Sequence, residues 1–592
     1  MKKLVVIVLA LCLVCTLFAA CNKDNSGDTN SQAGGSSSSP AGGGSSPAGG
    51  SSSSPAGGGD STPASSGPVG GDPNVSQVSV RDTLNMAITQ DKGTLNWLYH
   101  NGWKSQQCMR AIYEPLWSMD ELRTQTTYVL ATGYEFSNDG LIMTVHLRDD
   151  VYFSSGNKMT AEDVIFSLNL ANHREGEPPW FQYMLDDENV AVDDYTVEFH
   201  FSKYQVAYPA AFTSVFIFCK ATYDPNTIDM IADGTGPYEV VEYIPTSHMS
   251  LVARENYWGK QPPIKYVNFR FMAEDAQRVN AMQVGEIDVS DCPFADIEYV
   301  ESMNNMAVHF APRNEERAVF CNNTNPASPF YNNLEARMAV FYAVNPEPIL
   351  RIAYSGYGAL AQGPYQFDSE GANPAHMNIG PYAPGVGYNE DLARQLAQSS
   401  GLAEWSQNNS LRLINNGTQD LVTSSELVQA NLEKIGVKVE ILSYDPGSWL
   451  TYRFDHTSYE MTVDFTGNAI AASDVGMWWQ YCGNNSASSG NPDPEDTYRL
   501  RELTDGDRKD LNDPTVRIPI TDASGNRLQP LGEISDPVKR DQYVGEMAGI
   551  LNDIFLFKNL VNLKHAIGYN TDLHIEFMNS SWVDLLATYW EN

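Results

Sequence analysis

Residues 22–77 consist almost wholly of Gly, Ser, Pro, Ala, Asn and Asp, and they set where a fold can begin. Blocks like Ser46-Pro47-Ala48-Gly49-Gly50 recur through them. Such a stretch has almost no apolar side chain to bury, so nothing offsets the entropy of ordering its backbone. It is expected to be a disordered, flexible linker, stiffened locally by its prolines and without chemistry of its own. The packed cores must come from the body, residues 78–592.

The chain ahead of the linker has another character. Lys2 and Lys3 precede an apolar run from Leu4 to Ala20, marginal for spanning a bilayer but suited to an export signal. The run ends in Leu17-Phe18-Ala19-Ala20-Cys21, which resembles a bacterial lipobox, with Phe18 where the pattern usually has Leu. The resemblance implies a lipoprotein signal over 1–21, with Cys21 acylated as the mature N-terminus. Localisation is then extracytoplasmic, on the outer face of a cell membrane or within a periplasm. Two or three acyl chains on one residue anchor a protein where a single chain binds only marginally. An ordinary signal peptide with a chance cysteine is the plainer alternative.

The body is long enough for two or three domains with substantial cores, and the chain's 42% hydrophobic and 11% aromatic content is that of a globular protein. A net charge of −36 argues against a nucleic-acid partner, which needs basic surface. Cys108, Cys219, Cys292, Cys321 and Cys482 are scattered and form no CxxC pair, so neither a disulfide framework nor a zinc site is expected. One disulfide stays open; most of the five read as small buried hydrophobes. The ten histidines lack metal spacing, and neither a Gly-x-Ser-x-Gly nor a phosphate-loop motif occurs. No metal, cofactor or catalytic residue is expected. A glycoside hydrolase using a carboxylate pair is the alternative of another class, but solvated acids in an acidic chain explain the carboxylates more simply.

Local patterns alternate between strand and helix. Met143, Val145 and Leu147 alternate with Thr144, His146 and Arg148, the period of a half-buried strand. Thr160 is placed to cap a helix with Glu162 and Asp163 in its first turn and Val164, Ile165, Leu168 and Ala171 as an apolar stripe. Residues 334–344 read as a helix stopped at Asn345-Pro346. Residues 424–435 read as a helix ended by Gly436, followed by a strand through Val437, Val439 and Ile441. The sum is a mixed α/β protein with several sheets.

Four ordered blocks then carry a resemblance. Leu147-Arg148-Asp149-Asp150-Val151-Tyr152-Phe153 leads through Gly156 to Met159-Thr160-Ala161-Glu162-Asp163-Val164. Gly234-Thr235-Gly236-Pro237-Tyr238 is followed by Asn256-Tyr257-Trp258-Gly259, then by Gly285-Glu286-Ile287-Asp288. The fourth block is Ala336-Arg337 with Tyr342-Ala343-Val344-Asn345, where Asn345 stands in place of the usual Asp. Together they resemble the family-5 extracellular solute-binding proteins, the oligopeptide-, dipeptide- and nickel-binding group of ABC importers. The resemblance implies an α/β, two-lobed periplasmic-binding-protein-like fold of type II with mixed sheets flanked by helices. Lobe I would comprise 78–122, 232–325 and 555–592, with an extra domain over 123–231; lobe II would comprise 326–554. It implies a monomer that captures a small molecule or peptide between its lobes and delivers it to permease subunits. Most of the block residues read as architecture, with Gly236-Pro237 as a turn that uses glycine for an unusual backbone angle.

The ligand face is read partly from departures. Peptide-binding relatives place a Trp eighteen positions before a Gly-Trp-x-Ala-Asp stretch whose Asp pairs with the peptide ammonium; Trp449 stands that distance before Gly467. The stretch continues Asn468, Ala469, Ile470, Ala471, so the acid is replaced by Ala471 unless a shifted alignment brings Asp474 into its place. Trp478 and Trp479 add aromatic faces that suit sugar rings and apolar side chains alike. Thr94, Asn96 and Trp97 lie where relatives run a loop into the cleft. An oligopeptide is the first ligand reading, and an oligosaccharide or other non-peptide solute the second.

Overall fold

The computed structural model describes residues 79–591, apart from 90, 101–102, 120–125, 174–180, 182, 207, 364–377, 379–381, 383–386, 467–506, 510–516, 520–532, 556 and 579–581. Along the first half run β1 (Thr83–Ile88), α1 (Trp103–Ile112), β2 (Ala131–Phe136), β3 (Ile142–Leu147), α2 (Ala161–Asn172), β4 (Val190–Asp193), β5 (Thr196–His200), β6 (Tyr238–Ile244), β7 (His248–Ala253), β8 (Tyr266–Phe271) and β9 (Val289–Asp291). The second half adds β10 (Met306–Cys321), α3 (Leu334–Ala343), α4 (Pro346–Ala353), β11 (Leu411–Asn415), α5 (Gln419–Lys434), β12 (Val439–Ser443), α6 (Pro446–Phe454), β13 (Met461–Thr466) and β14 (Phe557–Asn570).

An 11-stranded mixed sheet runs β12-β11-β13-β10-β14-β9-β1-β8-β7-β6, with the short strand Ala359–Leu360 also paired to β14. Its centre is the antiparallel pair β10 and β14. They pair over Met306–Pro312 on Asn570–Lys564 and over Glu316–Phe320 on Asn562–Phe557, with register shifts between Pro312 and Glu316 and between Arg317 and Ala318. A bulge of this kind bends a strand and increases its twist. On one side of it Ile567 joins a core with Leu84, Trp97, Tyr113, Val145 and Phe269. On the other, Val319, Cys321, Leu560 and Val561 join a second core with Val340, Leu413 and Val428. β14 thus contributes to both cores, and its Ala566 joins Met306 of β10 in a third with Val279, Ile287 and Ile297, which explains why β14 is buried along most of its length.

A separate antiparallel sheet, β2-β3-β5-β4, packs against the first core. In β3, Met143, Val145 and Leu147 are buried, as the alternation predicts. The start of α2 is a capping box in which the Thr160 amide donates to Asp163 Oδ2 at 2.8 Å. The Asn345 side chain accepts from the Glu347 amide at 3.1 Å and caps α4. Asn and Asp differ little at this position, because a cap needs an acceptor oxygen and either residue supplies one.

Two local expectations need correction. The helix expected over 424–435 begins five residues earlier, at Gln419. Its polar first turn hides the start, and buried Ser424 and Ser425 satisfy their hydroxyls on the carbonyls of Asp420 and Leu421, each at 2.7 Å. Gly236 has no left-handed backbone angle. A Cβ at Gly236 would lie 2.6 Å from the Ile112 carbonyl oxygen, and one at Gly234 would lie 2.1 Å from the same atom. These glycines admit the end of α1 against the following strand; close approach, not backbone angle, requires them.

Candidate functional site

Ligand crevices of open α/β sheets lie at the carboxyl ends of parallel strands. β1 is parallel to β8 and to β9, and at their ends Thr89, Ser290, Asp291 and His565 line a pocket of about 30 Å³ with Gln107 and Trp582. That volume holds about one water, or one or two atoms of a larger solute. His565 Nε2 lies 2.8 Å from Asp291 Oδ1. Ser290 is 2% exposed, and its hydroxyl, like that of Thr89, is buried with no hydrogen-bond partner among the described residues.

Helix α1 forms the wall beside this pocket. Gln107 clamps the backbone of Val583: its Nε2 donates to the Val583 carbonyl at 3.2 Å, and its Oε1 accepts from the Val583 amide at 2.8 Å. The clamp sets Trp582 next to the helix. Arg110, one turn further along α1, places its guanidinium carbon 4.0 Å from the Trp582 ring centre and 5.4 Å from that of Phe216. Its Nε is buried without a partner, and among the described residues the guanidinium makes no hydrogen bond or ion pair. Burial alone pulls Arg110 down to about 10. Arg254, buried in the same half, is provided for differently: it donates to the carbonyls of Gly234, Gly236 and Tyr152.

The residues expected to face the ligand divide into three groups. Thr94, Asn96 and Trp97 are buried. Thr94 bonds Asp229, Asn96 accepts from the Leu98 amide at 3.1 Å, and Trp97 stacks on Phe218 at 5.2 Å, so their side chains hold the loop in place. Trp449 on α6 is 5% exposed, with its indole N–H buried and unpartnered among the described residues. Arg453 lies over its ring at 5.5 Å and is paired with Asp464 of β13, the strand that leads to Gly467. Gly467, Asn468, Ala469, Ala471, Trp478 and Trp479 lie outside the described residues, as do Asp474 and Cys21.

Sequence reasoning missed Gln107, Arg110, Ser290, Asp291, His565 and Trp582. Their nearest signal was the Gly285-Glu286-Ile287-Asp288 block, which runs directly into β9. Trp258, read as packing, does pack: its indole N–H donates to Glu114 at 3.0 Å, and burial pushes the Glu114 carboxyl up to about 7.

Residues 125–489 match the family described as bacterial extracellular solute-binding proteins, family 5, middle region. The chain belongs to that family. It is 28% identical over 353 residues to the glutathione-binding protein GsiB of Pectobacterium atrosepticum, covering 58% of this chain and 65% of that one. It is 27% identical over 398 residues to heme-binding protein A of Haemophilus influenzae, covering 60% and 68%. The chain thus spans about two thirds of the length of these curated relatives. The Helicobacter pylori periplasmic binding protein DppA, solved with the peptide STSA, superposes with a TM-score of 0.69 at 19% identity over 87% of this chain and 99% of that one. The fold is that of the periplasmic binding proteins.

Proposed function

We propose that this chain is the solute-receiving component of an ABC importer, closing two lobes around a small solute, with an oligopeptide as the first reading. The observation that carries it is the pair of strands β10 and β14, which runs from the core of Val319 and Leu560 to that of Met306 and Ala566, with a register shift between Pro312 and Glu316. Lobes that share such a pair of strands can rotate about it, as hinge closure requires. Lobe I would take in the core of β1, β8 and β9, with the extra domain built on β2–β5, and lobe II the core of β10's second half, α3, α5 and β11–β13. Glutathione and STSA, in the names of the relatives above, support the peptide reading. Trp449 and the 467–479 segment would form the second face of the cleft, while the loop through Thr94, Asn96 and Trp97 would shape the first through its backbone. The protein would act as a monomer, without turnover, held to the membrane through Cys21; loss of acyl labelling in Cys21→Ser tests that anchor.

The reading is tested by thermal unfolding of the full chain against peptide and oligosaccharide panels, with bound material recovered and weighed by mass spectrometry. A ligand at a hundredfold excess over its Kd stabilises by about 2.7 kcal/mol. Intact peptides that raise the midpoint and shrink the radius in small-angle scattering support it. Response only to oligosaccharides overturns the peptide reading, and steady product formation overturns the binding one.

A further inference from the structure

We propose that the Arg110–Trp582 stack beside the Ser290 pocket recognises a carboxylate of the transported solute. This rests on the reading of the chain as a solute-binding protein and names the chemistry its first lobe would select.

The Arg110 side chain is half-buried, with its Nε shut away from water without a partner, so its outer N–H groups can take acceptors from a solute. Arg110 has none among the described residues, yet it is held firmly, with Phe216 and Trp582 against it and Trp582 fixed through the Gln107–Val583 clamp. Stacking on an indole fixes the plane of a guanidinium while leaving its in-plane N–H groups to donate. That planar fork matches a carboxylate, which it binds in a bidentate manner, whereas an ammonium gains nothing from it. The neighbouring pocket supplies the second observation. Ser290, 2% exposed, and Thr89 each carry a buried hydroxyl with no partner among the described residues, and Gln107 and Trp582 line that same pocket. Hydroxyls can donate to an anionic oxygen. The acid that lines the pocket, Asp291, lies within hydrogen-bond distance of His565 at 2.8 Å. Trp582 links the two: it lines the pocket that holds the hydroxyls and carries the guanidinium of Arg110 over its ring.

The test uses the full chain as wild type, Arg110→Gln, Arg110→Lys and Ser290→Ala. Tri- to pentapeptide libraries, made as free acids and as C-terminal amides, are passed over each protein and retained species are counted by mass spectrometry. Wild type is expected to retain acids at least tenfold over amides. Arg110→Gln should abolish that preference while still retaining amides, Arg110→Lys should keep part of it, and Ser290→Ala should weaken it by a smaller factor. Unfolding curves check that each variant is folded, and Arg110→Lys keeps the test open if Arg110→Gln is not. Equal retention of acids and amides by wild type, or a preference that survives Arg110→Gln, overturns the carboxylate site and leaves the peptide reading standing. Retention of neither library overturns the peptide reading. The site then stands or falls on sugar acids and dicarboxylates offered to the same proteins: retention lost in Arg110→Gln supports it, and retention that is absent or unchanged overturns it.

Discussion

Arg453 and Arg110 both lie over a tryptophan, the first 5.5 Å from the Trp449 ring centre and the second 4.0 Å from that of Trp582. Their electrostatic surroundings differ. Arg453 is paired with Asp464, whose side chain is fully buried on β13, so the charge is balanced inside the protein. Arg110, on α1, has aromatic faces and, among the described residues, no acid. Lys558, in β14, marks a third arrangement: it is 2% exposed and donates to the carbonyls of Phe341, Val344 and Gly387 at 2.6, 3.0 and 2.6 Å. The contrast teaches that a buried cation completed by its own protein is architecture, while one left open is placed to be completed by something else.

Removing Arg453 should have the largest effect. Arg453→Met leaves Asp464 buried and unpaired by its arginine, and breaking a buried pair by deleting one partner costs about 3–5 kcal/mol. Urea unfolding measures it, and a loss under about 1 kcal/mol would break the comparison at its strong end.

Lys558 should show itself in pH dependence. Burial lowers it from 10.5 to about 7. Between those values the unfolded chain holds the proton that the folded chain has released, so stability rises with pH across that window. Below about 7 both states are charged and the penalty is complete; above 10.5 neither is. Wild type should therefore gain on Lys558→Met between pH 7 and 10, with a slope of at most about 1.4 kcal/mol per pH unit. A difference that stays flat over that range would show that the three carbonyls keep the lysine charged.

The smallest effect is expected at Arg110. In the absence of solute, Arg110→Met should change stability by less than about 1 kcal/mol, because no acid is stranded and the aromatic contact, worth about 0.5–1 kcal/mol at a partly exposed site, is replaced by packing. A loss as large as that of Arg453→Met would show that Arg110 too is structural.

Much of the fold was legible because it rests on neighbours in sequence. The alternation in β3, the capping box at Thr160 and the break between α3 and α4 at Asn345-Pro346 need only residues within a turn or a strand of one another. The four family blocks likewise pointed to the family to which the chain belongs. The candidate site was far less legible. Arg110 on α1 reads in sequence as one more solvated charge, and Trp97 as an aromatic ready for a ligand. The fold stacks Trp97 on Phe218 and sets Arg110 against Trp582 from the far end of the chain, and neither contact is written in the local sequence.

What the sequence alone determined here is whatever depends on short-range pattern: strands and helices of the body, their caps, and the family they announce. What tertiary structure decided is which charges are met. Asp464 reaches Arg453, three carbonyls reach Lys558, the Ile112 carbonyl demands glycine at positions 234 and 236, and nothing described reaches Arg110. Charge and burial interact through space, and the partners that complete a buried group come from other elements, 11 residues away for Arg453 and Asp464 and 171 or more for Lys558. No local pattern carries that information, because desolvation is a property of the packed molecule and not of the segment.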